Sequence, residues 1–183
     1  MTDIAAAIGL VQLERYDQML QRRKKISNLY HQMFADKEWA LLPFLQEENT
    51  ESSYHLYPLR IKGFNEEKRD ELIQKLAEIG IATNVHYIPI PMFTYYKEIG
   101  YSIKDYPNTY AQYENEITLP LYSILSSSDA EYVAENVIQW VEKLKWKFIF
   151  QGRMYNLWVH NLSWTRRKCQ MVTQKAKAKH RGK

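Results

Sequence analysis

The sequence has little cysteine and little glycine. Cys169 is the only cysteine in 183 residues, which excludes an internal disulfide and a four-cysteine zinc site. The six glycines form no glycine-rich phosphate loop, and the motifs H-E-x-x-H and G-x-S-x-G are absent. No run of 18 apolar residues is present, and residues 1–4 have no basic region before an apolar stretch, which argues against a signal peptide. We therefore expect no membrane span and a reducing, cytoplasmic setting.

Acidic residues are also lacking from the end of the chain. All 21 acids lie at or before Glu142, whereas 12 of the 25 lysines and arginines follow it. One folding unit rarely changes the sign of its charge this abruptly. We therefore predict a folded domain over residues 1–145 and a basic, loosely structured tail over residues 146–183.

Residues 1–142, which carry all of the acids and are called the acidic region below, begin with the pattern of a mixed helix and strand domain. Apolar residues at helical spacing predict a long helix over residues 3–35. Alternation predicts a strand over residues 54–62, where Pro58 favours an edge position or a bulge. Asn65 is then the predicted cap of a helix over residues 66–79.

A second strand and a further helix are predicted later in the region. The strand signal covers residues 117–121. Ser128 and Glu131 have the spacing of a capping box, which predicts the start of a helix there. Helices that alternate with few, short strands indicate an α/β or α+β fold, and the size is that of a small lobe of a larger protein.

The segment from Asn84 to Pro91 is the best candidate for a functional loop. Its two prolines stiffen the backbone, and His86 and Tyr87 stand near its start. Such a loop is suited to present polar groups to a ligand. A buried histidine that bonds to a backbone group is the alternative, and residue type alone favours it. His55 has the same ambiguity.

Four segments carry a resemblance to the DegT/DnrJ/StrS sugar aminotransferases. The residues after Met1 resemble the start of the helix that follows the large domain of that family. The other three segments resemble a strand, a loop and a closing strand of the small domain, in the family's order and spacing. The four segments read MTDIAAAIGLVQL (1–13), SYHLYP (53–58), GIATNVHYIP (80–89) and ITLPLY (117–122).

This resemblance implies a fold and an activity. The fold is the small domain of the aspartate-aminotransferase type, fold type I, and the cofactor is pyridoxal 5′-phosphate (PLP). Members transfer an amino group, usually from glutamate, to a nucleotide-linked keto sugar in polysaccharide and amino-sugar biosynthesis. A lysine holds PLP as a Schiff base. The resemblance also implies a homodimer, with residues 3–20 near the subunit interface.

The chain departs from the family in lacking a counterpart of the cofactor site. No lysine stands in the context of the Schiff-base lysine, so we assign no catalytic or cofactor-binding residue and expect no bound PLP. Position in the family implies that His86 and Tyr87 face the substrate, with His55 a weaker candidate. We therefore expect a C-terminal fragment of the enzyme that is inactive alone. The family is enzymatic and this chain lacks the Schiff-base lysine, so the sequence does not decide whether the chain itself counts as an enzyme.

The tail over residues 146–183 resembles nothing in the family. Lysine and arginine tracts with interleaved aromatic residues are typical of nucleic-acid binding. The function class that competes with the aminotransferase fragment is therefore a non-enzymatic protein that contacts nucleic acid through this tail. An accidental tail, from a frameshift or a rearranged gene, explains the same composition, and the lack of periodicity favours it.

Overall fold

A long helix opens the fold. The computed structural model describes residues 1–145, and its first element is helix α1, Asp3–Phe34. The Thr2 hydroxyl accepts a hydrogen bond from the Ala5 N–H at 3.3 Å. This bond satisfies one of the N–H groups that the start of a helix leaves unpaired. The predicted helix over residues 3–35 is confirmed to within one residue.

Only the C-terminal part of α1 contributes to the core. Its buried residues are Ile26, Ser27, Tyr30 and Phe34. The apolar side chains of its N-terminal half are exposed instead, and these are Ile4, Ile8, Leu10, Val11, Leu13 and Tyr16. An amphipathic helix normally buries its apolar stripe. The N-terminal half therefore presents apolar side chains that no other described residue covers.

The strands of the described residues are short and form two antiparallel sheets. The larger sheet has the order β1-β4-β5, and a separate hairpin is made of β2 and β3. The five strands are β1 (Ala40–Leu41), β2 (Gln46–Glu47), β3 (Thr50–Glu51), β4 (Tyr57–Ile61) and β5 (Glu116–Leu119). β4 is the central strand of this sheet, so the predicted edge position is wrong for the strand. Pro58 is compatible with β4 because it pairs only with Thr118 of β5, and β1 reaches no further than Arg60, so the missing N–H of Pro58 breaks no bond to β1.

Within residues 1–145, four further helices follow α1. They are α2 (Glu66–Glu78), α3 (Thr94–Glu98), α4 (Pro107–Tyr113) and α5, whose described part covers residues 127–145. Two turns of 3₁₀ helix lie at Ile90–Met92 and Ile103–Asp105. Asn65 caps α2 as predicted, because its side-chain oxygen accepts a hydrogen bond from the Lys68 N–H at 3.1 Å.

The predicted capping box at Ser128 is wrong by two residues. The Ser126 hydroxyl oxygen accepts a hydrogen bond from the Asp129 N–H at 3.0 Å, and the hydroxyl donates to the Asp129 carboxylate at 2.6 Å. Helix α5 therefore starts after Ser126. Three consecutive serines offer several possible caps, and the earliest serine followed by an acid three residues later is the one used.

The two faces of the larger sheet differ sharply. On one face, Tyr57, Leu59 and Ile61 of β4 lie beside Ile117 and Leu119 of β5, and all five are buried. The rings of Tyr30 in α1 and Tyr57 lie 5.1 Å apart between centroids, so α1 packs on this face. The opposite face carries the alternate residues, which are Pro58, Arg60, Glu116 and Thr118. Polar side chains are therefore concentrated on one side of the sheet.

The chain divides into two units, Met1–Val141 and Glu142–Lys183. The predicted basic tail over residues 146–183 lies outside the described residues, and its boundary stays a prediction. Within residues 1–145, no helix has the length and apolar character needed to cross a membrane.

Candidate functional site

The loop that begins at Asn84 is attached to the free edge of strand β5. The Asn84 N–H donates to the Thr118 carbonyl at 3.2 Å, and the Thr118 N–H donates to the Asn84 carbonyl at 2.7 Å. The His86 N–H then donates to Glu116 Oε2 at 3.0 Å. These bonds place the start of the loop beside the polar face of the sheet. The sequence predicted a stiff loop, and β5 is the rigid element that fixes it.

His86 is half-buried, and its ring is held by one side chain of β5. Its Nδ1 lies 2.9 Å from Thr118 Oγ1. The neighbouring Tyr87 is 72% exposed, and its ring packs edge-on against His86 with 4.7 Å between centroids. The peptide bond between the two residues is cis. The two predicted substrate residues are therefore adjacent, one anchored to the sheet and the other projecting from the surface.

The remainder of the loop is exposed or half-buried, except at its prolines. Pro89 and Pro91 are buried, whereas Asn84 and Ile88 are exposed. The buried prolines show that the segment from Asn84 to Pro91 is anchored at its far end as well as at β5.

Glu116 is an unusual residue in this site because its carboxylate is buried. It is 2% exposed, and burial raises the pKa of its carboxyl group above the ordinary value. Hydrogen bonds from the Thr118 hydroxyl and the His86 N–H lower that pKa, as does the positive charge of Arg69. The carboxylate therefore has two donors close by that compensate part of the cost of its burial.

These residues line a cavity of about 380 Å³ on the polar side of the sheet. Its walls are His86, Tyr87, Asn108, Thr109, Gln112, Tyr113 and Glu116. Helix α4 supplies four of them, and Arg69 of α2 contacts the C-terminal end of that helix. Its Nη1 donates to the Tyr113 carbonyl at 2.7 Å, and its guanidinium lies 4.6 Å from the centroid of the Tyr113 ring. The wall is thus built from regular elements rather than from the loop alone.

His55 lies elsewhere. It is exposed and lines a second cavity of about 600 Å³, together with Phe44, Ser53 and Arg60. Gln112 lines both cavities. The structure therefore brings His86 and Tyr87 together and places His55 in a different cavity.

The lysines of the described residues do not fit a Schiff-base site for PLP. Such a lysine is normally held in a pocket that lowers its pKa and orients the cofactor. No lysine of residues 1–145 is buried, and neither of these two cavities is lined by one. Within the same residues, no group of histidine, cysteine and acidic side chains could hold a metal ion. The absence of a resident cofactor from the chain stays a prediction.

Sequence reasoning missed Glu116 and Thr118. Thr118 lies within the predicted strand over residues 117–121 and was assigned no other role, and Glu116 directly precedes that strand and was assigned none. The available signal was the strand period of two, which places them on the face opposite Ile117 and Leu119.

Comparison with known proteins identifies relatives of most of the chain. The model of the DegT/DnrJ/EryC1/StrS aminotransferase family matches residues 1–138. Spore coat polysaccharide biosynthesis protein SpsC of Bacillus subtilis is 37% identical over 143 residues, which cover 75% of this chain and 36% of SpsC. A UDP-4-amino-4,6-dideoxy-N-acetyl-beta-L-altrosamine transaminase of Campylobacter jejuni is 31% identical over 149 residues, with coverage of 79% and 38%.

Solved structures give the same result for the fold. A Streptococcus pneumoniae protein named as sugar aminotransferase Spr1654 superposes with a TM-score of 0.76 at 46% identity, over 79% of this chain and 36% of that protein. It was solved in a PLP form. Helicobacter pylori PseC, an aminotransferase of pseudoaminic acid biosynthesis, gives a TM-score of 0.69 at 26% identity, with coverage of 78% and 38%. The predicted small-domain α+β fold is confirmed. The chain spans little more than a third of the length of these relatives.

Proposed function

The chain belongs to the DegT/DnrJ/EryC1/StrS aminotransferase family, and on this premise we propose that it is the substrate-facing lobe of a PLP-dependent sugar-nucleotide aminotransferase. In the intact enzyme, an amino group passes from glutamate to a nucleotide-linked keto sugar. The products are 2-oxoglutarate and the amino-sugar nucleotide. The lysine that holds PLP is supplied by polypeptide outside these 183 residues, so the chain alone is inactive.

The observation that carries this proposal is the adjacency of His86 and Tyr87 at a polar cavity. Asn108, Thr109 and Gln112 add hydroxyl and amide groups to the same wall. Sugars carry many hydroxyl groups, each of which donates and accepts hydrogen bonds. A cavity with several short polar side chains beside an aromatic ring suits such a ligand. His86 is the fixed polar contact, and the Tyr87 ring supplies a face for the sugar or the base.

The exposed half of α1 supports the remainder of the proposal. A row of apolar side chains from Ile4 to Tyr16 is open to solvent. The relatives of this chain are nearly three times as long as the region that matches it. We propose that this row packs against the remainder of the enzyme and lies near the interface of a homodimer. The apolar surface is then an internal contact of the complete protein.

Sugar-nucleotide binding is tested on the chain itself. We expect UDP-N-acetylglucosamine, used as the probe, to shift the NMR signals of His86 and Tyr87 in the ¹⁵N-labelled full chain. With half of the active site missing, the Kd is expected on the order of 1 mM. The His86→Ala variant is expected to bind about tenfold more weakly, a loss of about 1.4 kcal/mol.

His55→Ala is the matched control, because it makes the same substitution in the other cavity. Its affinity for the probe is expected to equal that of the unaltered chain. Shifts centred on His55, or no shift at about 10 mM probe, would contradict the assignment of the substrate site to His86 and Tyr87.

A further inference from the structure

Three residues of the site form a closed ring of hydrogen bonds. Glu116 Oε2 accepts from the His86 N–H at 3.0 Å. Glu116 Oε1 accepts from the Thr118 hydroxyl at 2.5 Å. Thr118 Oγ1 lies 2.9 Å from His86 Nδ1 and completes the ring. Glu116 and Thr118 are two apart in β5, so the strand period places both side chains on the same face, beside His86.

The number of hydrogens in this ring determines the direction of its third bond. A hydroxyl has one hydrogen, and that of Thr118 is donated to Glu116. Its oxygen can then only accept from His86, so Nδ1 must carry a hydrogen. A neutral imidazole has one N–H, which leaves Nε2 with a lone pair. Among the described residues, Nε2 of His86 has no hydrogen-bond partner.

Burial makes the arrangement rigid. Glu116 and Thr118 are 2% and 5% exposed, so little water competes for their polar atoms. An ionised carboxylate only accepts hydrogen bonds, and here both of its oxygens have a donor. Hydrogen bonds to a charged acceptor are stronger than neutral ones. The carboxylate therefore fixes the Thr118 hydroxyl, and the hydroxyl fixes the ring of His86.

We propose that Glu116 and Thr118 are positioning residues that hold His86 as its Nδ1–H tautomer. His86 then presents the Nε2 lone pair as a hydrogen-bond acceptor for a ligand hydroxyl at the cavity of about 380 Å³. The identity of that ligand as a sugar nucleotide rests on the proposed function. The tautomer itself does not, since it is a property of the free chain.

The tautomer is measured directly by long-range ¹H–¹⁵N correlation NMR of the full chain. The spectrum is recorded at about pH 8, above the ordinary histidine pKa of about 6.5. Loss of signals in a His86→Gln variant assigns His86 among the five histidines. We expect Nδ1 to show the shift of a protonated nitrogen and Nε2 that of an unprotonated one. An imidazole in water prefers the opposite form, so a protonated Nε2 in the unaltered chain would overturn the proposal.

Variants of Thr118 separate the hydroxyl from the shape of the side chain. Thr118→Val keeps the shape and removes the acceptor, and we expect His86 to revert to the Nε2–H form. Thr118→Ser keeps the hydroxyl and is expected to retain the Nδ1–H form. Circular dichroism establishes that each variant is folded. A folded Thr118→Val chain whose His86 tautomer is unchanged would also overturn the proposal.

Glu116→Gln tests the other end of the ring. The His86 backbone N–H is a donor of fixed direction, so in this variant we expect it to face the side-chain amide oxygen at position 116. The side-chain NH₂ group then faces Thr118. That group donates to the Thr118 oxygen, so the hydroxyl hydrogen turns toward His86 Nδ1. We therefore expect a reversal to the Nε2–H form without loss of the fold. An unchanged tautomer in this variant would contradict the role of the carboxylate.

The two proposals fail in different ways. If the unaltered chain has the Nδ1–H form but UDP-N-acetylglucosamine leaves its spectrum unchanged, the positioning role stands and the sugar-binding assignment fails. If the probe binds at His86 but Nε2 carries the hydrogen, the reverse holds.

Discussion

The Leu72→Ala variant is expected to lose about 2–5 kcal/mol of its free energy of unfolding. Leu72 of α2 is fully buried, so the shorter side chain leaves a cavity that its neighbours fill only in part. Domains of this size are stable by about 5–15 kcal/mol, so the loss is a large fraction of the total. Urea unfolding followed by circular dichroism measures it.

Leu13→Ala is the matched control in the exposed half of α1. Leu13 is 70% exposed, and the same substitution there is expected to change the free energy of unfolding by no more than about 0.5 kcal/mol. Equal losses in the two variants would show that the N-terminal half of α1 is covered in solution by the same chain or a second copy. The proposal that this surface packs against the remainder of the enzyme would then be wrong.

Stability is expected to fall steeply above about pH 10. Burial raises the pKa of the Tyr30 and Tyr57 hydroxyls above their ordinary value of about 10. Between that value and the raised one, the unfolded chain has released protons that the folded chain retains, so unfolding is favoured as the pH rises. At about pH 11 the two residues together are expected to remove about 3 kcal/mol. Urea unfolding at a series of pH values measures the decline.

The double variant Tyr30→Phe, Tyr57→Phe is the control for this prediction. Tyr30 donates a hydrogen bond to the Pro120 carbonyl at 2.9 Å, so its loss is expected to cost about 1 kcal/mol at neutral pH. The Tyr57 hydroxyl has no partner among the described residues, and its removal is not expected to destabilise. The double variant should lose most of the alkaline decline. If the stability of the double variant falls with pH as steeply as that of the unaltered chain, groups other than Tyr30 and Tyr57 cause the fall.

The elements that sequence predicted well are those with local signals. Helix α1 has a long apolar period, and α2 has Asn65 at its start and Gly80, with a φ of +81°, just beyond its end. Such signals depend on a few neighbouring residues. Strand β1 has only two residues, and its pairing with β4 is a contact between distant parts of the chain. No local pattern could predict it.

The candidate site was predictable only where its residues are close in sequence. His86 and Tyr87 are neighbours in sequence, so any loop that presents one presents the other. Glu116 follows His86 by 30 residues, and only the pairing of Asn84 with Thr118 brings them together. His55 was grouped with His86 by the resemblance, but it follows β3 and lies in a different cavity. Long-range pairing therefore decided which candidates share a site.

The central claim is that this chain forms the substrate-facing part of an aminotransferase and has no cofactor site of its own. The most direct test incubates the full chain with PLP, reduces it with borohydride and maps pyridoxyl-lysine by mass spectrometry. Because no lysine of residues 1–145 is buried, we expect incomplete labelling spread over several lysines, and no glutamate-dependent formation of 2-oxoglutarate. A single lysine labelled once per chain, with 2-oxoglutarate formed, would contradict the claim and show a complete enzyme.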